Sequence, residues 1–199
     1  MAVKKFKVAL SEVANTANGL ALSGPLVLSS TGIVLEKLRL PLDALGKGAS
    51  APSAVNLGNY SGYSYGIGDD SIFSFEPPNG WQSGTNILVK VYWYINEAYA
   101  TRSAEVRWQS VYACTPDDTS EALDAATHTG TVNSGDINIP GTAKRLTTGT
   151  MTIPAAHIIA DDVIGVTLSR IALAAGTNPV AEPVIIRLEV YYTANKLGE

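Results

Sequence analysis

Residues 86–94, Asn-Ile-Leu-Val-Lys-Val-Tyr-Trp-Tyr, alternate without a break. Ile87, Val89, Val91 and Trp93 fall on one side of a period of two, and Leu88, Lys90, Tyr92 and Tyr94 on the other. β-branched and aromatic residues in this rhythm specify a strand with one face in a core. Residues 104–114 repeat the pattern, with Val106, Trp108 and Tyr112 on one face and Glu105, Arg107 and Gln109 on the other. Two long strands, each with a central tryptophan, predict the middle of an antiparallel sheet.

The rest of the chain supplies partners for that sheet. Residues 71–75 read as a short strand closed by the turn signal Glu76-Pro77-Pro78-Asn79-Gly80. Further strand candidates recur at 127–132, 144–153, 163–170 and 184–193. In the last, Ile186, Leu188, Val190 and Tyr192 alternate with Ile185, Arg187, Glu189 and Tyr191, which predicts one wet face. Residues 33–42 are apolar with interleaved charges; a β-branched start and Pro41 favour an extended strand over a helix. Residues 46–69, rich in Gly, Ser, Ala and Asn, read as a linker passing into a loop, and 115–126 as one capped helical turn or an acidic loop. Short strands, long loops and no internal repeat predict an all-β fold, a jelly-roll-like antiparallel β-sandwich of about eight strands. It spans residues 33–199, behind an extended N-terminal arm at 1–32.

The arm carries two apolar pieces, around Phe6, Val8 and Leu10 and at 26–28, separated by the turn cluster Asn15-Thr16-Ala17-Asn18-Gly19. Strand-formers near a terminus either pair with a partner or tuck onto their own sheet, and both readings stand here. Lys4, Lys5 and Lys7 interleave with Val3, Phe6 and Val8, a local concentration of positive charge on an acidic chain. Three lysines neutralise too few phosphates for useful DNA affinity. The expectation is docking: Phe6, Val8 and Leu10 pair with an exposed edge on a partner, and Lys4 and Lys5 meet acidic rim residues.

Charged residues make up 16% of the 199 and the formal net charge is -4, which argues against a nucleic-acid binder with its basic stripe. No run approaches the roughly 20 apolar residues that cross a bilayer, so no membrane partner is expected. Glu12 and Asn15 interrupt what would be a signal peptide's apolar stretch, so synthesis in the cytoplasm is expected. Cys114 is the only cysteine, which excludes an intrachain disulfide; it shares the Trp108 face and reads as a small buried hydrophobe.

A search for chemistry finds none. His128 and His157 belong to no metal-ligand spacing and read as surface or capping residues. The pairs Asp69-Asp70, Asp117-Asp118 and Asp161-Asp162 sit at strand or loop boundaries, where turn formation explains them more simply than Ca²⁺ binding. Gly66-Ile67-Gly68 lacks the third glycine of a nucleotide loop. Glu105 and Glu189 fall on outward strand positions beside Arg107 and Arg187, where cross-strand ion pairs account for them better than a glycosidase pair. No catalytic, cofactor or metal residue is expected, and the chain reads as no enzyme. Tyr60, Tyr63, Tyr65, Tyr92 and Tyr94 fit either a sugar-stacking platform or, better, a second buried surface at a subunit contact.

One succession of motifs is similar to a known group. It runs Leu40-Pro41-Leu42; Phe73-Ser74-Phe75-Glu76-Pro77-Pro78-Asn79-Gly80-Trp81; Val89-Lys90-Val91-Tyr92-Trp93; and Val106-Arg107-Trp108. The acidic stretch 117–124, Leu168-Ser169-Arg170 and Leu188-Glu189-Val190-Tyr191-Tyr192 follow. In this order they resemble the small jelly-roll structural proteins of tailed bacteriophages and prophages, of the capsid decoration or cement type, over residues 33–193. These are packing and turn motifs, so the resemblance transfers no site residues. It implies a virion protein on the capsid surface, with the major capsid protein and its own copies, as a homotrimer, for partners. A carbohydrate- or receptor-binding module of a tail or head spike, with a glycan partner, is the alternative.

Overall fold

The computed structural model describes residues 13–16, 19–22, 34–99, 104–118 and 120–194. Lys4, Lys5, Phe6, Val8 and Leu10, the residues expected to dock the arm, and the apolar piece at 26–28 lie outside the described residues.

Two short strands come first, β1 (Val13–Thr16) and β2 (Gly19–Leu22), paired antiparallel with each other and, among the described residues, with no other strand. The body is a sandwich of two antiparallel sheets. One holds β4 (Gly46–Lys47), β7 (Asp70–Phe75), β9 (Glu105–Thr115), β10 (His128–Asn138) and β12 (Val163–Ile171) in the order β10-β9-β12-β7-β4. The other holds β5 (Ser53–Leu57), β6 (Tyr60–Ser64), β8 (Ile87–Ile95), β11 (Thr147–Ile153) and β13 (Pro183–Ala194) in the order β11-β8-β13-β6-β5. In this second sheet β3 (Val34–Leu40) also pairs with β13.

The inward faces are those the alternation predicts. Ile87, Val89, Val91 and Trp93 of β8, and Val106, Trp108 and Tyr112 of β9, are all buried. The two tryptophan strands, however, do not share a sheet. They lie in opposite layers, and Trp93 and Trp108 meet across the core with ring centroids 6.3 Å apart. Each strand instead pairs with late segments, β8 with β11 and β13, β9 with β10 and β12. Sequential strands that cross from one sheet to the other are what a jelly-roll connection requires.

Two further differences have local causes. Residues 46–69 hold β4, β5 and β6 rather than a linker. Their small side chains hide the alternation, and Gly62 is needed there, because a Cβ would strike the Ile185 carbonyl. Of the two readings of 115–126, the acidic loop is the one observed: past the end of β9 the described residues form turns and bends, and Glu121 binds the Thr127 backbone N–H (3.0 Å) and hydroxyl. In β13 the alternation slips: Ile185 as well as Leu188 faces inward, because the register with β8 shifts between Ile185 and Arg187. Ile186 is the inserted residue of that bulge, turned out of the core face it was expected to share.

Candidate functional site

The bulge at Ile186 also marks a change of neighbour. Along one side β13 pairs with β8 from Pro183 to Tyr191; along the other it pairs first with β6, at Val184 and Ile185, and then with β3, from Leu188 onward. Where β6 gives way to β3, the outer face of the sheet dips. Leu57, Tyr60, Tyr94, Lys144, Leu146 and Ile186 line one depression of about 220 Å³. Leu40, Pro41 and Leu42, with Arg39 and Arg187, extend it as a second of about 340 Å³ that shares Tyr60, Leu146 and Ile186. Pro41 ends β3 and holds the chain extended (ψ 135), which sets Leu40-Pro41-Leu42 as the trough's wall. The floor is apolar and partly open: Tyr60 is 65% and Leu146 53% exposed.

Beside the trough the same face becomes charged. Register places Lys90 and Tyr92 of β8, Arg187, Glu189 and Tyr191 of β13, and Lys37 and Arg39 of β3 side by side. Three cations converge on one oxygen, Glu189 Oε1: Lys37 Nζ at 3.2 Å, Arg187 Nε at 3.5 Å and Arg39 Nε at 3.8 Å. The Tyr191 hydroxyl donates to Oε2 at 2.9 Å and lies 3.0 Å from the Tyr92 hydroxyl. Lys90 sits over the Tyr191 ring and Arg187 over the Tyr92 ring, at 4.0 and 3.7 Å from the centroids. Glu189 is fully buried under these groups. Burial alone would raise its pKa; the Tyr191 and Tyr92 hydroxyls, Lys37 and Arg187 outweigh it and hold the carboxyl below its usual range. This face carries four cations against one carboxylate, on a chain of net charge -4.

The other candidates resolve into structure. Of the five tyrosines, Tyr65 and Tyr94 are buried, Tyr63 is half-buried, and the Tyr92 ring is covered by Arg187, so they do not form one platform. Glu105 and Glu189 lie in opposite sheets and cannot act as a pair; Arg107 meets Asp136 at 3.5 Å instead. Asp69 accepts bonds from the Gly66 N–H and the Ser50 hydroxyl, Asp70 from the Ser50 N–H, and Asp118 from the Ser120 N–H. Asp162 accepts from the Ile159 N–H. These are turn-forming roles. His157 Nδ1 lies 2.7 Å from the Tyr112 hydroxyl, and its ring is 6.1 Å from that of His128. Among the described residues no three of His, Cys, Asp and Glu are placed to hold a metal ion. Cys114 is buried, and desolvation pushes its thiol up to about 12, which leaves it protonated and inert.

The sequence reading put Glu189 in an ion pair beside Arg187 but missed the convergence of Lys37, Arg39 and the two tyrosines on it, and it passed over the trough. Charges at alternate positions 37 and 39, and 187 and 189, were its only signal for the first. The trough depends on a bulge and on a change of strand partner, which leave no pattern.

No protein-family model matches the chain, and no curated protein matches it. Among solved structures it is similar to the CBM36-1 domain of a multidomain xylanase from the hindgut metagenome of Trinervitermes trinervoides, at 12% identity and a TM-score of 0.43, over 79% of this chain and 96% of that one. A carbohydrate-binding module, CBM36 in complex with calcium and xylotriose, matches at 11% identity and a TM-score of 0.40, over 80% of this chain and 99% of that one. A family 35 carbohydrate-binding module from Clostridium thermocellum matches at 11% and 0.33, over 84% and 98%. At these identities and scores the likeness does not extend to a ligand or a partner.

Proposed function

We propose that this protein is a non-enzymatic structural subunit of a bacteriophage virion, of the decoration or cement type, which works by binding protein surfaces. One observation supports a protein partner best. The outer sheet face joins an apolar trough to a lattice of cations, while Tyr94 is buried and the Tyr191 and Tyr92 rings are covered by Lys90 and Arg187, which leaves Tyr60 as the exposed ring of the trough. An apolar floor with a charged rim suits a protein contact, where apolar burial supplies affinity and the rim supplies register. The virion setting rests on the succession of motifs from Leu40 to Tyr192. A cement subunit needs no catalytic group: it adds buried area across joints between capsid subunits. The test is cryo-electron microscopy of particles from the phage or prophage that encodes the chain. Density for this sandwich on the shell is the expected result; particles without the chain refute the reading.

A second reading, a carbohydrate- or receptor-binding module, is favoured by Tyr60. Its ring is largely exposed at the edge of the trough, where a sugar face could stack on it. A glycan array separates the two: binding that Tyr60→Ala abolishes would favour the module.

A further inference from the structure

The trough has a complementary feature elsewhere on the same chain. Between β9 and β10, Ala122 to Ala125 form a turn closed by the Ala125 N–H on the Ala122 carbonyl at 2.9 Å. At its tip Leu123 is 76% exposed, beside Asp124. Asp117 and Asp118, also exposed, precede it in the same loop. Glu121, clamped on Thr127, ties the base of the turn to the start of β10, so the leucine is presented by a preformed knob. An apolar tip set among carboxylates is the counterpart of an apolar trough rimmed by Arg39, Arg187 and Lys144. Val180 is more exposed still, but the carboxylates beside it are already engaged, Glu97 by the Ala181 N–H and the Tyr99 hydroxyl and Glu182 by the Ser64 hydroxyl.

The knob cannot reach its own trough. It follows the end of β9 at Thr115, on the same end of the sandwich as His157 and Ile153, since His157 bonds Tyr112 and Ile153 pairs with Ile87. The trough lies at the other end of β8, by Tyr94 and in the opposite sheet, about 23 Å along the strand from Ile87. We infer that the trough on the β6–β13–β3 face binds the Leu123 turn of a second copy of this chain. Leu123 enters between Tyr60, Leu146 and Ile186, and Asp124 meets Arg39 and Arg187. The two surfaces differ, so the contact is heterologous and builds a closed ring, or a fibre where the rotation does not close. This deepens the virion reading by naming how copies join, and it rests on that reading only for its setting.

The experiment is sedimentation of the full chain over a wide concentration range. Wild type should associate as concentration rises. Leu123→Ser, and separately Leu146→Asp, should weaken association about tenfold or more, as truncating a central interface anchor does. Both residues are exposed in the single chain, and unchanged circular dichroism checks that each variant folds. Asp124→Arg and Arg39→Asp should each weaken association and together recover part of it. Mixing Leu123→Ser with Leu146→Asp chains should yield dimers, because one intact knob and one intact trough remain. A wild type that stays monomeric, variants that associate normally, or a mixture that stays monomeric would overturn the inference. The virion reading is judged separately, on particles, and a monomeric cement subunit is compatible with it.

Discussion

Replacing Glu189 by Gln removes one charge and almost no volume, and so isolates what the carboxylate does for the outer face. Each cation lies 3.2–3.8 Å from Oε1. At that distance one pair is worth about 4–5 kcal/mol with an effective dielectric constant near 20. The three do not add. The side chains of Lys37, Arg39 and Arg187 are 53%, 64% and 31% exposed, so water screens them, and burying the carboxylate offsets part of the gain. Removing one partner of a fully buried pair costs about 3–5 kcal/mol. Discounted for the exposed cations, the expected loss for Glu189→Gln is about 1.5–3 kcal/mol at neutral pH. The pH dependence carries the sign. The folded-state pKa of Glu189 is depressed, so its contribution is complete above the unfolded value of about 4.3 and is lost as pH falls through the folded value. Urea unfolding of both proteins at pH 7 and again near pH 3, roughly a unit below the unfolded glutamate pKa, measures this. The gap should narrow on acidification with the urea m-value unchanged. A gap below about 0.5 kcal/mol at pH 7, within the scatter of ordinary surface changes, would refute the account of Glu189 as the group that holds the face together. So would the same gap at both pH values.

Other expectations concern the core and the arm. Trp93→Ala and Trp108→Ala should each destabilise the protein by about 3–5 kcal/mol, read by chemical denaturation; melting within a degree or two of wild type would contradict the cross-core contact. Gly149→Ala should cost about 1–3 kcal/mol by overpacking, because its Cβ would lie 2.7 Å from Trp108 Cδ1. Trp108→Phe should relieve part of that cost, and a double-mutant cycle shows whether it does. Deleting residues 1–30 should leave a trypsin-resistant domain with unchanged β-sheet circular dichroism, since the described arm strands β1 and β2 pair only with each other. Loss of that signal would place the arm inside the sandwich.

Alternation by itself determined which faces are buried. In β8 and β9 the apolar residues recur at every second position, and a strand has no other way to bury them together, so Trp93 and Trp108 were placed in the core without any knowledge of topology. Pairing was beyond it. The pattern says that each strand has an inner face, not which layer it joins, and sequential strands with apolar faces can as well pair as oppose one another. Their separation into two sheets is decided by long-range partners such as β13, whose contacts with β3, β6 and β8 span much of the chain. In β4 to β6 the signal itself was missing, because glycine, serine and alanine carry little burial energy to show as a period. The outer-face site needed the tertiary structure most. Lys37, Arg39, Arg187 and Glu189 become neighbours through register alone, and the trough exists because one extra residue, Ile186, turns a hydrophobe out where β13 changes partners. A bulge is a mismatch between two strands, and a mismatch cannot be read from either one.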